Sequence, residues 1–558
     1  MNLLILKIMK LKYITTYLIL FLITNSIYGQ LWLVDPLEAI YPDINQVDNL
    51  KNKWTADFPQ ESMADVHVLI KLPKGKTFTV SATKDGKTLD NEVWSRLIDV
   101  PVEQNTGLDS RTEQYTDQIN PHVIRRAPFR IFEVIQPIKQ KTLTSNTNFT
   151  ALRLTIPSPL IREKGNHKIK IKVRSGDFEE EGIFIVKVYP VVLPKLSESQ
   201  FYYTNWFNLG QLGEQHQLDP WSEPWFEMLD KYAELMAHGR QNSIIIPHEL
   251  FQFYDDEIIL EEEKMLRFIN VFRKYDFKYF EAPHLMYRGD NDDWGDPELK
   301  VVLTKRRYYK QGGKIDIEAL MNLIHDFVVN NDLTDGWLQH IADEPTSVNA
   351  QCYKDVVKQV KEIYPEIKIM EATNDRDGIA GAIDIWCPLI NDFQENESFF
   401  REREKLGEKV LVYTCLIPGG KWLNRTLDME KLRQVYFGWG AAYYNTGGYL
   451  HWGLNQYKMN PYEQSVIHHP APGASANNFL PAGDTHIIYP GKEGPLSSIR
   501  FEAHRMGCED YDLLQMLKPM NSDEYNKLVN NLFTSYTDYN LSIRDYRKTK
   551  KKLLRSIK

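Results

Sequence analysis

The sequence predicts an all-β part followed by an α/β part. An antiparallel β-sandwich is expected over residues 30–195 and a (β/α)8 barrel over 196–500, with a C-terminal helical region at 501–558 completing it. Two rhythms carry the division. Up to about residue 195 apolar residues recur with period two, and from about 200 onward short apolar runs alternate with amphipathic helical stretches. The length, 558 residues, also exceeds what one hydrophobic core ordinarily serves.

In the first part Val66, Val68, Ile70 and Leu72 alternate with Asp65, His67 and Lys71. Phe78, Val80 and Ala82 follow the same rule, as do Leu152, Leu154 and Ile156. Ile169, Ile171 and Val173 interleave with Lys168, Lys170, Lys172 and Arg174. Such strands hide one face and wet the other. The part ends in the linker-like run Tyr189–Pro194.

In the second part the expected strands are the runs at 201–207, 243–247, 277–283, 337–342, 367–372, 383–389, 411–416 and 448–454. Between them lie helical faces: Met265, Phe268, Ile269 and Phe272; then Ile317, Leu320, Met321, Ile324 and Phe327; then Tyr353, Val356, Val357, Val360 and Tyr364. Eight strands alternating with helices is the count of a TIM barrel. An open doubly wound sheet competes, but it would carry a Gly-rich phosphate turn after its first strand, and 201–208 has none. The last segment, about 497–556, reads as helical with a solvated basic tail. The acidic stretch Gly289–Asp296 fails the EF-hand template, because Trp294 stands where an oxygen ligand belongs and Val301 where an acid belongs. It reads instead as a long loop over the barrel mouth.

Lys7, Lys10 and Lys12 precede the apolar run Tyr13–Ile23, which exits through Thr24, Asn25, Ser26 and Gly29. That order reads as a secretory signal peptide over 1–29, with export to the periplasm or the medium. The run is short for a membrane span, so stable membrane insertion is not expected, with an uncleaved anchor as the competing reading. A net charge of -8 without a dominant basic face argues against nucleic acid as a partner. The four cysteines, Cys352, Cys387, Cys415 and Cys508, form no CxxC pair, so neither a metal nor a cofactor is expected, and one disulfide stays open. Twelve Trp and thirty Tyr agree with sugar binding, although most must serve the core.

Barrel chemistry belongs at the C-terminal ends of strands. Of three Asp-Glu dipeptides, 256–257 lies in a polar turn and 523–524 opens a terminal helix. Asp343-Glu344 ends the run Trp337–Ala342, and Pro345 stops the strand at once. Acids there face the mouth, partly desolvated, where a carboxyl can work as a general acid; the competing reading is a cap of the following helix. A conventional retaining enzyme places its nucleophile across the mouth, yet no acid closes Leu411–Leu416. Neighbouring acids on one strand end can instead divide labour on a substrate that brings its own nucleophile. A 2-acetamido carbonyl oxygen attacks the anomeric carbon, Asp343 holds the acetamido N–H, and Glu344 protonates the leaving oxygen and then deprotonates water.

The stretch Trp337–Pro345, the run Gly483–Gly491 (GDTHIIYPG) and the segment Ser497–Leu514 together resemble glycoside hydrolase family 123, whose C-terminal region is of the DUF4091 type. Tyr203–Phe207, Ala237–Gly239 and Gly448–Gly453 add to the resemblance, which runs through most of 31–520. His504 and Cys508 depart from the pattern of the last helix. The resemblance implies a β-sandwich before a (β/α)8 barrel, exo-acting β-N-acetylgalactosaminidase activity by substrate-assisted retention, and a glycan or glycoconjugate partner with a terminal 2-acetamido sugar. It maps the catalytic pair onto Asp343 and Glu344.

Strand ends supply the expected sugar contacts: Asn205, Trp206, His248, Asn374, Trp386, Tyr413, Trp452 and Asn455. Trp452 is expected as the floor under the ring and Tyr413 as a donor to the acetamido oxygen. For each, a buried barrel residue is the competing reading, most of all for His248. Arg500, Glu502 and Arg505 read as structural ion pairs, while Asp484 and Tyr489 lie on a loop within reach of the substrate. Two rival functions stand beside this one: a conventional pair of Glu344 with a distant carboxylate such as Asp392, and a non-catalytic carbohydrate-binding protein.

Overall fold

The computed structural model describes residues 30–44, 51–90, 93–140, 142–289, 293–310, 312–373, 375–471 and 473–557. The expected leader, 1–29, and Asn374 lie outside these residues.

Residues 30–192 form two facing sheets. One runs in the order Gln30–Val34, Ala64–Lys71, Phe149–Ile156, Trp94–Val102 and Phe129–Pro137. The other runs Lys53–Gln60, Phe178–Val192, Gly165–Ser175, Thr77–Lys84 and Lys87–Thr88, with Thr142–Thr144 paired to Thr77–Lys84. Val66, Val68, Ile70, Leu152 and Leu154 from the first interdigitate with Ile169, Ile171, Val173, Phe184 and Val186 from the second. The alternation along Gly165–Ser175 is as expected, with Ile169, Ile171 and Val173 buried. Two expectations are corrected. Lys53–Gln60 pairs with Phe178–Val192 in parallel, so the sandwich is not wholly antiparallel. The first sheet is also covered on its outer face around Ala64–Lys71: Asp65 and His67, expected in water, are buried, because the long helix Ile499–Met520 lies across them. Arg153 of this sheet bridges Asp65 at 2.8 Å and Glu502 of the helix at 3.0 Å. Buried charges survive only when paired in this way.

From residue 202 short antiparallel two-stranded ladders accompany nine strands that pair in parallel: β1 (Tyr202–Asn205), β2 (Ser243–Ile245), β3 (Tyr279–Ala282), β4 (Trp337–Gln339), β5 (Lys368–Ala372), β6 (Ile385–Cys387), β7 (Lys409–Val410), β8 (Val412–Tyr413) and β9 (Gly448–His451). They make a six-stranded sheet, β2-β3-β4-β5-β6-β7, and a three-stranded sheet, β1-β9-β8. One extended run carries the chain from the first sheet to the second through Leu411, whose N–H donates to Trp386 O. At the other edge the Asn242 N–H donates to Tyr203 O at 3.2 Å, without a ladder between β1 and β2. A single closed eight-stranded ladder is therefore not what the chain shows; it is a mixed α/β structure with two parallel sheets. The expected helical faces are buried: Met265, Phe268, Ile269 and Phe272 on Glu262–Arg273, and Tyr353, Val356, Val357 and Val360 on Ala350–Ile363.

The C-terminal helix Ile543–Ser556 is not the solvated tail expected from its charge. Lys550 is buried against Asp510 at 2.9 Å, and Arg547 meets Asp35 at 2.6 Å. Tyr546, Leu553 and Leu554 fill the space between them. All four cysteines are free. Among the described residues no helix is long and apolar enough to cross a membrane.

Candidate active site

Asp343 and Glu344 follow β4 directly, at its C-terminal end. Asp343 is exposed and Glu344 half-buried. Glu344 has φ 45°, a left-handed conformation that costs a residue with a Cβ roughly 1–2 kcal/mol. The turn is held from outside: Arg288 donates through Nη1 to Asp343 O at 2.6 Å and to Glu344 O at 3.0 Å. The face of that guanidinium lies 3.7 Å from the ring of Trp294. Trp294 of the acidic stretch thus lies against the arginine that holds the Asp343–Glu344 turn. Asp296 of the same stretch is gripped by Arg307 at 2.8 Å, and Gly289 passes so close to Asp296 that a Cβ there would sit 2.3 Å from the carboxylate.

Tyr413, on β8, donates its hydroxyl to Glu344 Oε1 at 2.5 Å. Burial, followed by the nearby Glu344 carboxylate, pushes the phenol well above its ordinary value, so it stays a proton donor. The structure thus joins three of the expected residues, Asp343, Glu344 and Tyr413, and adds Arg288.

The other expected contacts are placed as follows. Trp206, half-buried, donates its indole N–H to Glu281 Oε2 at 2.9 Å. Trp452 is half-buried beside His451, with its indole N–H turned inward. Asn205 is buried between Gln241 at 3.1 Å and Arg425 at 2.6 Å. Asn455 ties two loops together through both backbone groups of Asn208, at 2.8 and 3.0 Å. Trp386 is fully buried, packed edge-on to Phe399 and Phe400 with its N–H on Glu408 at 2.5 Å. His248 is exposed on the rim of an apolar cavity of about 260 Å³ shared with His284, Phe251 and Leu303. Asn205, Asn455 and Trp386 thus spend their polar groups on the scaffold. Asp392 is ion-paired with Arg376; burial raises its carboxyl to about 6, against the pull of Arg376. Asp484 is buried 3.3 Å from His451, and burial lifts its carboxyl to about 7, against Arg425. Arg500 bonds Glu133 at 2.6 Å, and Arg505 bonds Glu502 at 2.9 Å.

Sequence reasoning missed a buried group below the turn: Glu281 on β3, His340 after β4, Glu371 on β5, and His284. A signal was present for the two acids alone, since Glu281 and Glu371 each stand inside a largely apolar parallel strand. His284, His340 and Glu371 bring one ligating atom each within 4.8 Å of one another. Yet His340 faces Glu281 Oε2 at 3.2 Å through Nε2 and Glu371 Oε1 at 3.3 Å through Nδ1. Burial pushes its imidazolium down, but the two carboxylates outweigh that and lift it to about 10. A ring that donates through both nitrogens has no lone pair for a metal.

Parallel strands with adjacent carboxylates at one strand end, behind a β-sandwich, are an arrangement that glycosidases use. Residues 259–517 match a family model, "Glycoside hydrolase 123, catalytic domain". Of the stretches that resembled this family, those at 203–207 and 237–239 lie ahead of the matched segment. A family 123 glycoside hydrolase from Clostridium perfringens, described for glycolipid glycan hydrolysis, shares the fold with a TM-score of 0.68 at 14% identity. That likeness covers 95% of this chain and 97% of that one. A Parabacteroides merdae β-glucuronidase (TM-score 0.32, 8% identity, 79% of this chain and 49% of that one) and an Eisenbergiella tayi β-galacturonidase (TM-score 0.33, 10% identity, 87% and 72%) are far weaker likenesses and carry no argument. No curated protein matches the chain.

Proposed function

We propose that the chain is an exo-acting, retaining glycoside hydrolase that removes terminal β-linked N-acetylgalactosamine from a glycan or glycolipid by substrate-assisted catalysis. The observation that carries this reading is the adjacency of Asp343 and Glu344 on one strand end, with the Tyr413 hydroxyl on the Glu344 carboxyl. Glu344 gives its proton to the leaving oxygen while the substrate's acetamido oxygen bonds to the anomeric carbon. Asp343 accepts the acetamido N–H and balances the positive charge of the oxazolinium ring. Water then loses a proton to Glu344 and adds to the anomeric carbon, the ring reopens, and the configuration is retained.

The alternative pairing of Glu344 with Asp392 is less well supported, because Arg376 already occupies the Asp392 carboxylate. In the same reading the two parallel sheets are the wall of an eight-stranded barrel over 196–500, with β7 and β8 serving as one strand. The sandwich spans 30–195, residues 501–558 complete the barrel, and residues 1–29 direct export.

The test compares nitrophenyl β-glycosides with a 2-acetamido or a 2-hydroxy group, in galacto and gluco forms. Rapid turnover of the 2-acetamido galactoside with little of the 2-hydroxy sugar is expected. Comparable rates on both, or a glycosyl ester trapped on a carboxylate, refute substrate assistance.

A further inference from the structure

The buried group under the turn connects two parts of the site that are far apart in sequence. Glu371 Oε2 accepts the backbone N–H of Ile341 at 2.9 Å and of Ala342 at 3.1 Å, the two amides just before Asp343. Tyr353 OH donates to the same oxygen at 3.0 Å, from the helix Ala350–Ile363. Glu371 Oε1 faces His340 Nδ1, with His284 Nε2 at 3.6 Å. Beyond the imidazole, Glu281 Oε2 takes both His340 Nε2 and the Trp206 indole N–H, while Glu281 Oε1 accepts Ser243 Oγ at 2.6 Å. Glu281, His340 and Glu371 have no exposed surface. The rings of His284 and His340 stack at 4.8 Å, and both stand edge-on to Trp206.

A buried arrangement of this kind is costly unless every member is satisfied, and satisfied it has one geometry. Each carboxylate spends one oxygen on the wall and one on the imidazolium. Glu371 grips the strand that ends in the two acids; Glu281 grips the Trp206 indole; His340 fixes the distance between them. Such fixing matters because small misplacements of reacting groups cost rate out of proportion to stability.

We propose that Glu371 and His340 are positioning residues for the reaction, holding the Asp343–Glu344 turn and the Trp206 face in one fixed relation through Glu281. The proposal rests on the reading of Asp343 and Glu344 as the reacting pair. The groups facing His340 are Glu281 from β3, Glu371 from β5, His284 from the segment after β3, and the neutral edge of Trp206 from the end of β1.

The test is Glu371→Gln in the full chain. The glutamine oxygen still accepts the Ile341 and Ala342 amides, but its NH2 faces His340, which then keeps a proton on Nε2 alone. On a nitrophenyl 2-acetamido β-hexoside kcat is expected to fall about 10- to 100-fold with KM within about threefold. The alkaline limb of the pH–rate profile is expected to move toward neutrality, since His340 retains one carboxylate partner instead of two. Tyr353→Phe, which removes one anchor of Glu371 and keeps its charge, is the milder companion, with kcat down about two- to fivefold and KM unchanged. A Glu371→Gln enzyme with wild-type kcat, or one whose activity falls only with its folded fraction under an unchanged pH profile, overturns the proposal. So does loss of wild-type activity to a chelator with recovery on added Zn²⁺, which makes the cluster a metal site. If the wild type prefers a 2-hydroxy glycoside, substrate assistance fails, while the same variant comparison on that glycoside still decides the positioning role.

Discussion

Removing one oxygen atom, in Tyr413→Phe, isolates the contact that singles out Glu344. The Tyr413 hydroxyl donates to Glu344 Oε1 at 2.5 Å, and the ring is almost fully buried among Leu389, Leu411 and Leu450, which phenylalanine fills equally well. Packing should therefore survive. A hydrogen bond to a charged group contributes about 1.5–3 kcal/mol, but Glu344 is half-buried and water replaces part of the loss, so about 1–2 kcal/mol is expected. At about 1.4 kcal/mol per factor of ten, kcat/KM drops about 5- to 30-fold. Because the phenol lies well above its ordinary range, it donates throughout any practical assay, and the wild-type profile should show no alkaline limb from this group. Initial rates on the nitrophenyl 2-acetamido galactoside, across pH, are the assay. A loss below about twofold, with Tm unchanged, refutes the idea that the phenol tunes the acid.

Glu344→Gln should nearly abolish turnover of substrates with poor leaving groups and spare a dinitrophenyl glycoside, which departs unprotonated; equal losses on both refute its role as acid. Asp343→Asn should slow both substrates, and unchanged rates would refute its hold on the acetamido group. Arg153→Ala strands Asp65 in the interface between sheet and helix, while Glu502 keeps Arg505 and His238, at a cost of about 3–5 kcal/mol by urea unfolding; a change under 1 kcal/mol contradicts the bridge. Asp484 has its carboxyl raised from an ordinary 3.8 to about 7. The folded state therefore binds a proton the unfolded state releases, and stability is full below about 4 and declines as pH rises through 7. Asp484→Asn should flatten Tm between those limits, and a parallel curve for the variant refutes the shift.

Much of this was legible in the sequence wherever a pattern is local. The period-two run Ile169–Val173 became a half-buried strand, the helical faces became buried faces, and Pro345 after an Asp-Glu pair marked the turn. What escaped depends on distant partners. Asp65 and His67 alternate as solvated residues do, and nothing within their own strand announces that a helix more than 400 residues later covers them. Lys550 looked solvated because its partner, Asp510, lies on another helix. Trp386 and Asn455 stand at strand ends, as substrate contacts do, but a strand end has two sides, and the side taken is set by Phe399, Phe400 and Asn208. Only Glu281 and Glu371 left a local trace, as acids inside apolar parallel strands, where an unpaired charge would not be tolerated.

The remote coverings also explain why a sandwich accompanies the parallel sheets. Arg500, on the helix that lies across the first sheet, bonds Glu133 of that sheet and the carbonyls of Arg425, Gly483 and His486. Arg425 in turn reaches Asn205 at the end of β1 and the Gly453 carbonyl after β9. Two buried guanidiniums thus link the sandwich to strand ends of the three-stranded sheet, whose β8 carries Tyr413. Burial drags Arg425 down to about 10, so it keeps its charge and its forked geometry at neutral pH. The loops beyond β1 and β9, which carry Trp206 and Trp452, therefore stand on a framework fixed by the sandwich. A chain cut between the two parts would lose the Glu133 partner of Arg500 and leave that cation buried and unpaired. On physical grounds the parallel-strand part should then fail to hold its site even if it folds, which makes the sandwich part of the enzyme rather than an appendage to it.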